Sequence, residues 1–295
     1  MKYSSGLVKK LFGIDSDDFL CSSLGDLSHK DDFGVLSYIS SDKYLLDLHS
    51  NSSIKAVFVS KGVSDQVDEK IIKIIVDDPL WYYVSTRNYV ASQIEYLPTV
   101  FGRNCNIHPS AVIANTGVNI GNNVTIGANV TIKEGVTLRD MCVIFPGVVL
   151  GTDGFEYKKT SRGTLAVKHD GEVLIGEQVE IGANSTIAKG FSYRNTVIGD
   201  NTKTDSLVYV AHGVQCGKNC LIASKVSING HVTIGDDVWI GPSSTISNRL
   251  HIGSRVFIAL GSVVVRNVNE GTRVAGNFAL PYALFKNDWI AKGGE

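Results

Sequence analysis

The sequence predicts a mainly β protein whose largest part is a parallel β-helix, preceded by a small α/β domain and followed by a short tail. An aliphatic residue returns at every sixth position over long stretches, and a second aliphatic series runs two residues earlier. Asn or Gly, which tolerate a left-handed turn conformation, often stand three residues after the first series. A period of six fits neither an α-helix nor an ordinary sheet.

Each six-residue unit is interpreted as a short strand that ends in a sharp turn, with its aliphatic side chain pointing inward. Three such repeats close one triangular coil, so residues separated by three repeats stack on neighbouring coils. The inward series is Ile120, Ile126, Ile132, Leu138, Ile144 and Leu150, then Ile175, Ile181 and Ile187, then every sixth residue from Ile198 to Val264, including the polar Thr204. The turn positions are Asn123, Asn129, Gly135, Gly147, Asn184, Gly190, Asn201, Gly213, Asn219 and Gly261.

The repeat divides the chain into three parts. Residues 1–103 lack it, and the stretches VLSYISSDKYLLDL, IKAVFVS and KIIKIIVDDPLWYYVSTRNYV predict an α/β domain in which Asp78 and Pro79 start a helix. Residues 104–270 form the predicted β-helix, which a polar, glycine-rich loop at 151–172 interrupts. Residues 271–295 are expected to cap its end. The loop either carries function on a rigid scaffold or is a tolerated insertion.

Composition limits the classes of function. A formal net charge of -1 argues against a nucleic-acid-binding surface. The five cysteines include no CxxC pair, which favours buried thiols in a reducing cytoplasm. No run of about 18 apolar residues occurs, and the N-terminus lacks an apolar stretch of signal-peptide length. We therefore expect a soluble cytoplasmic protein without a membrane span.

His212 is the candidate general base, because histidine is the side chain best suited to take a proton near neutral pH. It stands two residues after the inward-facing Val210, where a strand meets a turn, so its ring should face outward. Asp205 precedes it by seven residues on the previous strand and is expected to orient the imidazole by a hydrogen bond. Spacing alone fits a solvent-exposed turn histidine equally well.

Longer segments resemble the hexapeptide-repeat acyltransferases, whose β-helix is left-handed, and in particular the UDP-3-O-acyl-glucosamine N-acyltransferases of lipid A biosynthesis. The resemblance lies in LGTDGFEY, VLIGEQVEIGANSTIAKG, NTVIGDNTKTDSLVYVAHG and VSINGHVTIGDDVWIGPSSTI, in this order and at similar spacing. It implies that His212 is the general base, that Asp205 orients it, and that the protein is a homotrimer whose active sites are shared by neighbouring rods.

In the α/β domain, LSYISSDKY resembles that family's uridine-binding segment. The resemblance implies that Tyr38, Ser41 and Tyr44 bind the nucleotide: both rings would stack on a pyrimidine, whereas Ser41 stands for an Asn and is shorter. Without the resemblance, the tyrosines are ordinary aromatic residues. His231 and Arg249 are three repeats apart at turn positions, so they should stack on neighbouring coils and contact the donor or the sugar phosphates.

Departures from the family pattern bear on the acyl donor. The family's second histidine is replaced by Arg249, its TIDRG segment reads TIAKG, and its long C-terminal helices, which bind acyl carrier protein, have no counterpart before Glu295. The segment VAGNFA instead resembles the GNPA end of acetyltransferases that use coenzyme A. We therefore expect acyl-coenzyme A as co-substrate. The residues predicted to bind it are Lys225, Arg255, Arg266, Arg273, Gly276 and Asn277, of which Arg255 and Arg273 should stack because three repeats separate them. The alternative is that the basic residues of this set are solvated turn residues.

The predicted function is transfer of an acetyl or short hydroxyacyl group from acyl-coenzyme A to the amine of a UDP- or dTDP-linked amino sugar, for a surface polysaccharide or O-antigen. We expect no permanently bound cofactor and no metal, because the close histidine pairing of the β-helical γ-class carbonic anhydrases is not evident. Two alternatives stay open. One is lipid A N-acylation with acyl carrier protein as donor, and the other is a non-catalytic nucleotide-sugar binder that keeps its affinity without His212 and Asp205.

Overall fold

A computed structural model describes residues 3–276, 281, 284, 287 and 290–292. The predicted α/β domain is present. Its parallel sheet consists of four strands that neighbour one another in chain order, and a separate antiparallel pair lies beside the first helix. The elements are β1 (Tyr3–Ser4), α1 (Ser5–Phe12), β2 (Leu20–Cys21), β3 (Ser23–Leu24), β4 (Val35–Ile39), a 3-10 turn (Asp42–Tyr44), α2 (Leu45–Ser50), β5 (Ile54–Val59), α3 (Lys61–Ser64), β6 (Ile72–Ile75) and α4 (Pro79–Ser92).

Helix α4 begins where the sequence predicts. The Asp78 carboxylate accepts a hydrogen bond of 3.0 Å from the Trp81 backbone N–H and so caps the first turn. Pro79 occupies the first turn, where its missing N–H and its fixed φ cost nothing. Both features fix the start of the helix that later contacts the loop insertion.

The rest of the described chain winds into a parallel β-helix with three faces. Among the described residues the faces contain eight, nine and eight strands. In chain order the strands are β7 (Val100–Phe101), β8 (Asn106–Ile107), β9 (Val112–Ile113), β10 (Val118–Ile120), β11 (Thr125–Ile126), β12 (Thr131–Ile132), β13 (Val136–Leu138), β14 (Val143–Ile144), β15 (Val149–Thr152), β16 (Tyr157–Thr160), β17 (Gly163–Ala166), β18 (Val173–Ile175), β19 (Glu180–Ile181), β20 (Thr186–Ala188), β21 (Thr196–Ile198), β22 (Lys203–Thr204), β23 (Tyr209–Val210), β24 (Gln215–Cys216), β25 (Leu221–Ile222), β26 (Ser227–Ile228), β27 (Thr233–Ile234), β28 (Trp239–Ile240), β29 (Thr245–Ile246), β30 (His251–Ile252), β31 (Phe257–Ile258), β32 (Val263–Val264) and β33 (Arg273–Val274).

The first face runs from β7 to β30, the second from β8 to β33 and the third from β9 to β32, in the order in which one coil visits them. In regular coils the register advances by three repeats, as the pairing of Ile120 with Leu138 shows. The predicted inward side chains form one continuous buried column inside the rod. Burial of one such side chain stabilises the fold by about 1.5–3 kcal/mol. The polar member Thr204 is satisfied there, because its hydroxyl accepts a 3.1 Å hydrogen bond from the Gly182 N–H.

The corners between faces adopt the expected left-handed conformation. Asn123, Asn129 and Asn184 have φ values of 56–57°, and the predicted turn glycines have positive φ except Gly190. Gly190 differs because it opens a longer turn, in which Phe191 and Arg194 form an isolated bridge. The prediction for this position is therefore wrong for a local reason.

The limits of the rod differ by a few residues from the predicted ones. Strand β7 already pairs with β10, so the β-helix begins at Val100 rather than at residue 104. At the other end, β33 pairs with β31 inside the segment predicted to be a cap. Beyond it, Leu284, Asn287, Ile290 and Ala291 are helical. Among the described residues, no helix has the length and apolar character needed to cross a membrane.

One corner, where the third face turns into the first, departs from the repeat in two successive coils. Regular inward residues are six apart, but Leu150 and Ile175 are 25 apart and Ile187 and Ile198 are 11 apart. The first insertion lies between Leu150 and Ile175 and contains the antiparallel hairpin of β16 and β17. The second insertion lies between Ile187 and Ile198. We call this edge of the rod the irregular corner. The α/β domain packs against it through contacts between α4 and β16.

Candidate active site

His212, His231 and Arg249 lie on successive coils of the irregular corner. The His231 N–H donates to the His212 carbonyl at 3.0 Å, and the Arg249 N–H donates to the Gly230 carbonyl at 2.9 Å. The predicted stacking of His231 and Arg249 is therefore confirmed. The same corner carries the first insertion two coils before His212 and the second insertion one coil before it. The elements that break the repeat therefore surround these three side chains.

The His212 ring faces outward from the rod, as predicted, but it is enclosed and not solvent-exposed. Only 7% of the residue is accessible, because the first insertion covers it. Two glycines make room for the ring: a Cβ at Gly230 would lie 2.6 Å from Cε1, and a Cβ at Gly154 would lie 2.8 Å from Cδ2. The rings of His231 and His169 pack edge-on at centroid distances of 5.1 Å and 5.3 Å. The imidazole thus has a fixed position.

Glu156, from the first insertion, is the acidic neighbour of His212. Its Oε2 lies 3.5 Å from His212 Nε2, and Lys158 Nζ lies 2.5 Å from its Oε1. Burial lowers the pKa of His212, against an opposing effect of Glu156. Burial acts to raise the pKa of Glu156, but Lys158 and the histidines outweigh it, so the net shift is downward. A neutral imidazole beside an ionised carboxylate is suited to accept a proton at neutral pH.

Asp205 does not form the predicted hydrogen bond with His212. It follows β22 on the second face, whereas His212 follows β23 on the third, and its Oδ1 accepts from the Ser206 N–H at 2.6 Å. Because each face of a coil takes up one six-residue repeat, a separation of seven carries a residue around to another corner. Asp205 instead lines an open groove with Phe145 and Trp239. The orienting role expected of Asp205 is thus corrected, and Glu156 occupies the place beside the base.

His169 is a buried histidine that the sequence did not single out. It is 4% exposed, and within the described part of the chain neither ring nitrogen has a hydrogen-bond partner. Its ring stacks on Phe191, with centroids 4.6 Å apart. Burial and the neighbouring His212 lower the pKa of His169 to about 4. Glu156, Lys158 and His169 all lie in the non-periodic insertion, whose polar composition was the one signal that pointed to them.

The α/β domain supplies the other wall of the site. Tyr38 and Tyr44 line a cavity of about 550 Å³ together with Arg249. Tyr38 is half-buried, and burial raises its pKa to about 12. The structure therefore brings both predicted tyrosines to the same cavity as a residue of the irregular corner.

The tyrosine cavity shares the lining residue Arg249 with two further cavities, one of which contains His212. A narrow cavity of about 70 Å³, lined by Tyr38, Glu156, His231 and Arg249, adjoins it. Glu156, His231 and Arg249 also line the next cavity, of about 410 Å³, which contains His212. We call this series the interdomain cleft. Its lining includes the two aromatic rings at one end and the candidate base at the other.

Ser41 is not among the described residues that line the cleft. Its hydroxyl caps the 3-10 turn by accepting from the Lys43 N–H at 3.4 Å and contacts Asp42 Oδ1 at 3.0 Å. A residue at a strand-to-helix junction commonly serves as such a cap. Its predicted role in substrate binding is therefore not supported by its position.

A buried ion pair holds the two walls of the cleft together. Arg87 of α4 contacts Asp170 of the first insertion, with 2.8 Å between Nη1 and Oδ1. Asp170 also accepts hydrogen bonds from the backbone and hydroxyl of Ser192 in the second insertion, at 3.1 Å and 2.7 Å. The guanidinium also donates to the Leu24 carbonyl at 2.8 Å. One arginine thus joins the α/β domain to both insertions.

The residues predicted to bind coenzyme A do not gather in one place. Lys225 lies at the corner between the second and third faces, Arg255 at the corner between the first and second, and Arg266 at the irregular corner beyond β32. Arg255 is ion-paired with Glu270. These three basic side chains lie at three different corners of the rod, so they cannot form one phosphate-binding cluster within a single protomer.

The expected stacking of Arg255 on Arg273 is wrong. Strand β33 pairs Arg273 with Phe257, and the guanidinium lies 4.8 Å from that ring. The register shifts because the last coil is two residues shorter than a regular coil, as the pairing of Ile258 with Val274 shows. Gly276 follows β33, and Asn277 lies outside the described residues.

These features define a hexapeptide-repeat β-helix with a histidine-containing interdomain cleft. Residues 98–134 and 117–152 match the family model described as a hexapeptide repeat of succinyl-transferase. The solved structure of a UDP-N-acetylglucosamine acyltransferase from Campylobacter jejuni superposes with a TM-score of 0.55 at 24% identity, covering 61% of this chain and 68% of that one. The fold is accordingly the predicted left-handed β-helix.

Two relatives specify the resemblance further. The chain is 46% identical over 96 residues to the UDP-3-O-acylglucosamine N-acyltransferase of Methylorubrum populi, which is 32% of this chain and 27% of that protein. It is 49% identical over 100 residues to the probable UDP-3-O-acylglucosamine N-acyltransferase 2, mitochondrial, of Arabidopsis thaliana, which is 34% of this chain and 33% of that protein. The matched segment thus spans a third or less of these relatives. The resemblance inferred from the motifs is confirmed.

Proposed function

We propose that the protein is an N-acyltransferase that moves an acyl group from a thioester to the amine of a nucleotide-linked amino sugar. The observation that carries this proposal is the interdomain cleft, which runs from Tyr38 and Tyr44 to a buried His212 beside Glu156. The two rings would hold the base of the nucleotide by stacking. Arg249, which lines all three cavities, is placed to contact the phosphates.

His212 would act as the general base. As the sugar nitrogen attacks the thioester carbonyl, Nε2 accepts a proton from it, and the C–S bond then breaks as the proton passes to the departing sulfur. Glu156 stabilises the imidazolium that forms between these events, because its carboxylate lies 3.5 Å from Nε2. The reaction needs no covalent enzyme intermediate.

The relatives favour UDP-3-O-acylglucosamine as the acceptor, since both carry that substrate in their names. This was the alternative to a short-chain acyl transfer for polysaccharide synthesis. The dispersed basic residues give coenzyme A no defined site within one protomer. We therefore propose acyl-coenzyme A and acyl carrier protein thioesters as the two candidate acyl donors. We therefore propose UDP-3-O-acylglucosamine as the first acceptor to test, and other UDP- and dTDP-linked amino sugars as the second.

We also propose a cytoplasmic homotrimer. Support for association comes from the second face, where the exposed side chains of Phe145, Leu221 and Trp239 line a groove of about 440 Å³. The five cysteines are free thiols, which suits a reducing compartment. Light scattering of the purified protein measures the association directly, and a mass of one protomer would contradict it.

The test of the function is thiol release by the purified protein. Acyl-coenzyme A and acyl carrier protein thioesters are each supplied with UDP-3-O-acylglucosamine and with a panel of UDP- and dTDP-linked amino sugars. We expect one combination to turn over and the rate to fall by at least about 100-fold in His212→Ala. Ligand binding that survives in His212→Ala, with no thiol released by the parent protein, would instead show a non-catalytic binder.

A further inference from the structure

Glu156 and His212 face each other without a proton donor between them. Their nearest atoms, Oε2 and Nε2, are 3.5 Å apart, which exceeds the usual 2.7–3.2 Å of an N–H···O hydrogen bond. A base must present a lone pair at Nε2, so its proton resides on Nδ1. That Nδ1 is buried and, in the described part of the chain, has no hydrogen-bond partner. In this tautomer, two hydrogen-bond acceptors, Glu156 Oε2 and His212 Nε2, face each other.

The position of Glu156 is fixed by the fold. Its carbonyl accepts a 2.9 Å hydrogen bond from the Val167 N–H, and Val167 is buried in the core of the α/β domain. Two residues before Glu156, Gly154 lies directly against the His212 ring. Lys158 Nζ contacts Glu156 Oε1 at 2.5 Å, and the other carboxylate oxygen, Oε2, faces His212 Nε2. The backbone contact with Val167 and the ion pair with Lys158 thus set the spacing of the two acceptors.

We infer that Glu156 selects an acceptor bearing an ammonium group, by holding its nitrogen between Oε2 and Nε2. This inference rests on the proposed function and specifies the acceptor of that same site. A nitrogen about 2.9 Å from each atom fits between acceptors 3.5 Å apart. An ammonium donates to both at once, whereas a hydroxyl has one proton and leaves the other acceptor unsatisfied. An unsatisfied buried acceptor opposes binding, so amines are favoured over hydroxyls.

The other charged groups at this point determine how strongly the carboxylate attracts a cation. Lys158 partly neutralises Glu156, and Arg249 adds positive charge, while Arg249 Nη1 is itself 3.9 Å from Asp26 Oδ2. His231 is neutral at pH 7, because burial and His212 lower its pKa to about 4. The selection consequently comes mainly from two hydrogen bonds to one nitrogen, and less from net charge.

The protons balance in this scheme. Between ammonium and amide the nitrogen loses two protons. The first is released to solvent when the bound ammonium becomes an amine. The second passes to Nε2 as the nitrogen bonds to the thioester carbon, and then to the sulfur as the C–S bond breaks, giving a free thiol. Glu156 stays ionised throughout and holds the nitrogen in line with the base.

The experiment compares the binding of UDP-glucosamine and UDP-glucose, which differ at carbon 2 by an amine and a hydroxyl. Calorimetry is carried out at pH 7 on the full chain, on Glu156→Gln and on Glu177→Gln. Glu177 is an exposed glutamate at the corner between the first and second faces, outside the lining of the cleft, and serves as the matched control. We expect the parent protein and Glu177→Gln to prefer UDP-glucosamine by about 10-fold or more, and Glu156→Gln to lose most of that preference.

Equal affinity for the two ligands in the parent protein would overturn the inference, and so would a preference that persists in Glu156→Gln. An equal loss of affinity for both ligands in a folded Glu156→Gln would show that Glu156 only supports the architecture. That result would also overturn the inference. Thiol release measured on the same preparations separates this inference from the proposed function. Turnover without the amine preference refutes the role of Glu156 alone, whereas the amine preference without turnover refutes the transferase.

Discussion

The reactivity of His212 depends on two opposing influences at the level of single residues. Burial by the first insertion lowers the pKa of the imidazole, and Glu156 acts in the opposite direction. The net shift is downward from 6.5, so the neutral form of His212 predominates at pH 7. The site thereby keeps a base that is available at neutral pH and a carboxylate that steadies its protonated form.

The first prediction concerns pH. Since the pKa of His212 is lowered, kcat/KM should stay level around pH 7 and fall as the pH drops through a value below 6.5. Glu156→Gln removes the carboxylate that raises this pKa, so the acid limb should move to a still lower pH. The pH dependence of kcat/KM for both proteins measures the shift. An acid limb that moves to a higher pH in Glu156→Gln would contradict the assignment of His212 as the base beside Glu156.

The second prediction concerns Gly230. A Cβ at this position would lie 2.6 Å from Cε1 and 2.8 Å from Nε2 of His212, so Gly230→Ala must displace the ring. We expect kcat to fall by about 100-fold, since an error of about 1 Å in a catalytic group has that effect. Gly62→Ala is the control, because a Cβ there meets nothing within 4 Å. Unchanged kcat in Gly230→Ala would show that the ring need not stay where it is.

Among the structural elements, the hairpin of β16 and β17 connects the base with the α/β domain. At its tip, Arg162 contacts Asp77 at 3.2 Å and lies 3.9 Å from the Trp81 ring, while Ser161 donates to Asp78 at 2.6 Å and 2.7 Å. These contacts hold the hairpin on α4. Because the same insertion carries Glu156, the hairpin sets one wall of the cleft.

The third prediction tests this attachment. Arg162→Ala should loosen the hairpin with little change in the melting temperature, because the pair is exposed. Chymotrypsin should then cut faster near Tyr157 and Leu165 than in the parent protein. Lys159→Ala, which removes an exposed positive charge from the same hairpin, should be cut at the parent rate. Equal cleavage of all three proteins would mean that Arg162 does not hold the hairpin in place.

At the scale of the whole molecule, the site exists only while the α/β domain stays docked on the irregular corner. The buried ion pair of Arg87 and Asp170, with 2.8 Å between Nη1 and Oδ1, crosses this boundary. A buried charge that loses its partner is costly, whereas replacing both partners by apolar residues is often neutral. The pair therefore fixes how the two parts meet and does not by itself add much stability.

The fourth prediction follows from this distinction. Asp170→Asn should lower the free energy of unfolding by about 3–5 kcal/mol, because it leaves the Arg87 guanidinium buried without its counter-ion. The double variant Arg87→Met with Asp170→Leu should recover most of the loss. Urea unfolding of the parent and both variants provides the values. A loss below about 1 kcal/mol in Asp170→Asn would show that the pair is not important for docking.

The rod was predictable because each inward residue and each turn repeats the same local requirement many times. The stacking of His231 on Arg249 followed from that register. The partner of His212 was not predictable, since Glu156 belongs to an insertion with no period, and the seven-residue spacing to Asp205 crosses a corner of the coil. The pairing of Arg273 with Phe257 was missed because the last coil is two residues short. Positions that depend on contacts between the domains could not be read from either domain alone.

The most direct test of the account is a crystal structure with a bound UDP-linked amino sugar, determined with the parent protein or with inactive His212→Ala. The account predicts that the pyrimidine lies against Tyr38 and Tyr44, that the phosphates lie near Arg249, and that in the parent protein the amine is within about 3.2 Å of His212 Nε2. A sugar nucleotide bound outside the interdomain cleft, or with its amine directed away from residue 212, would contradict it.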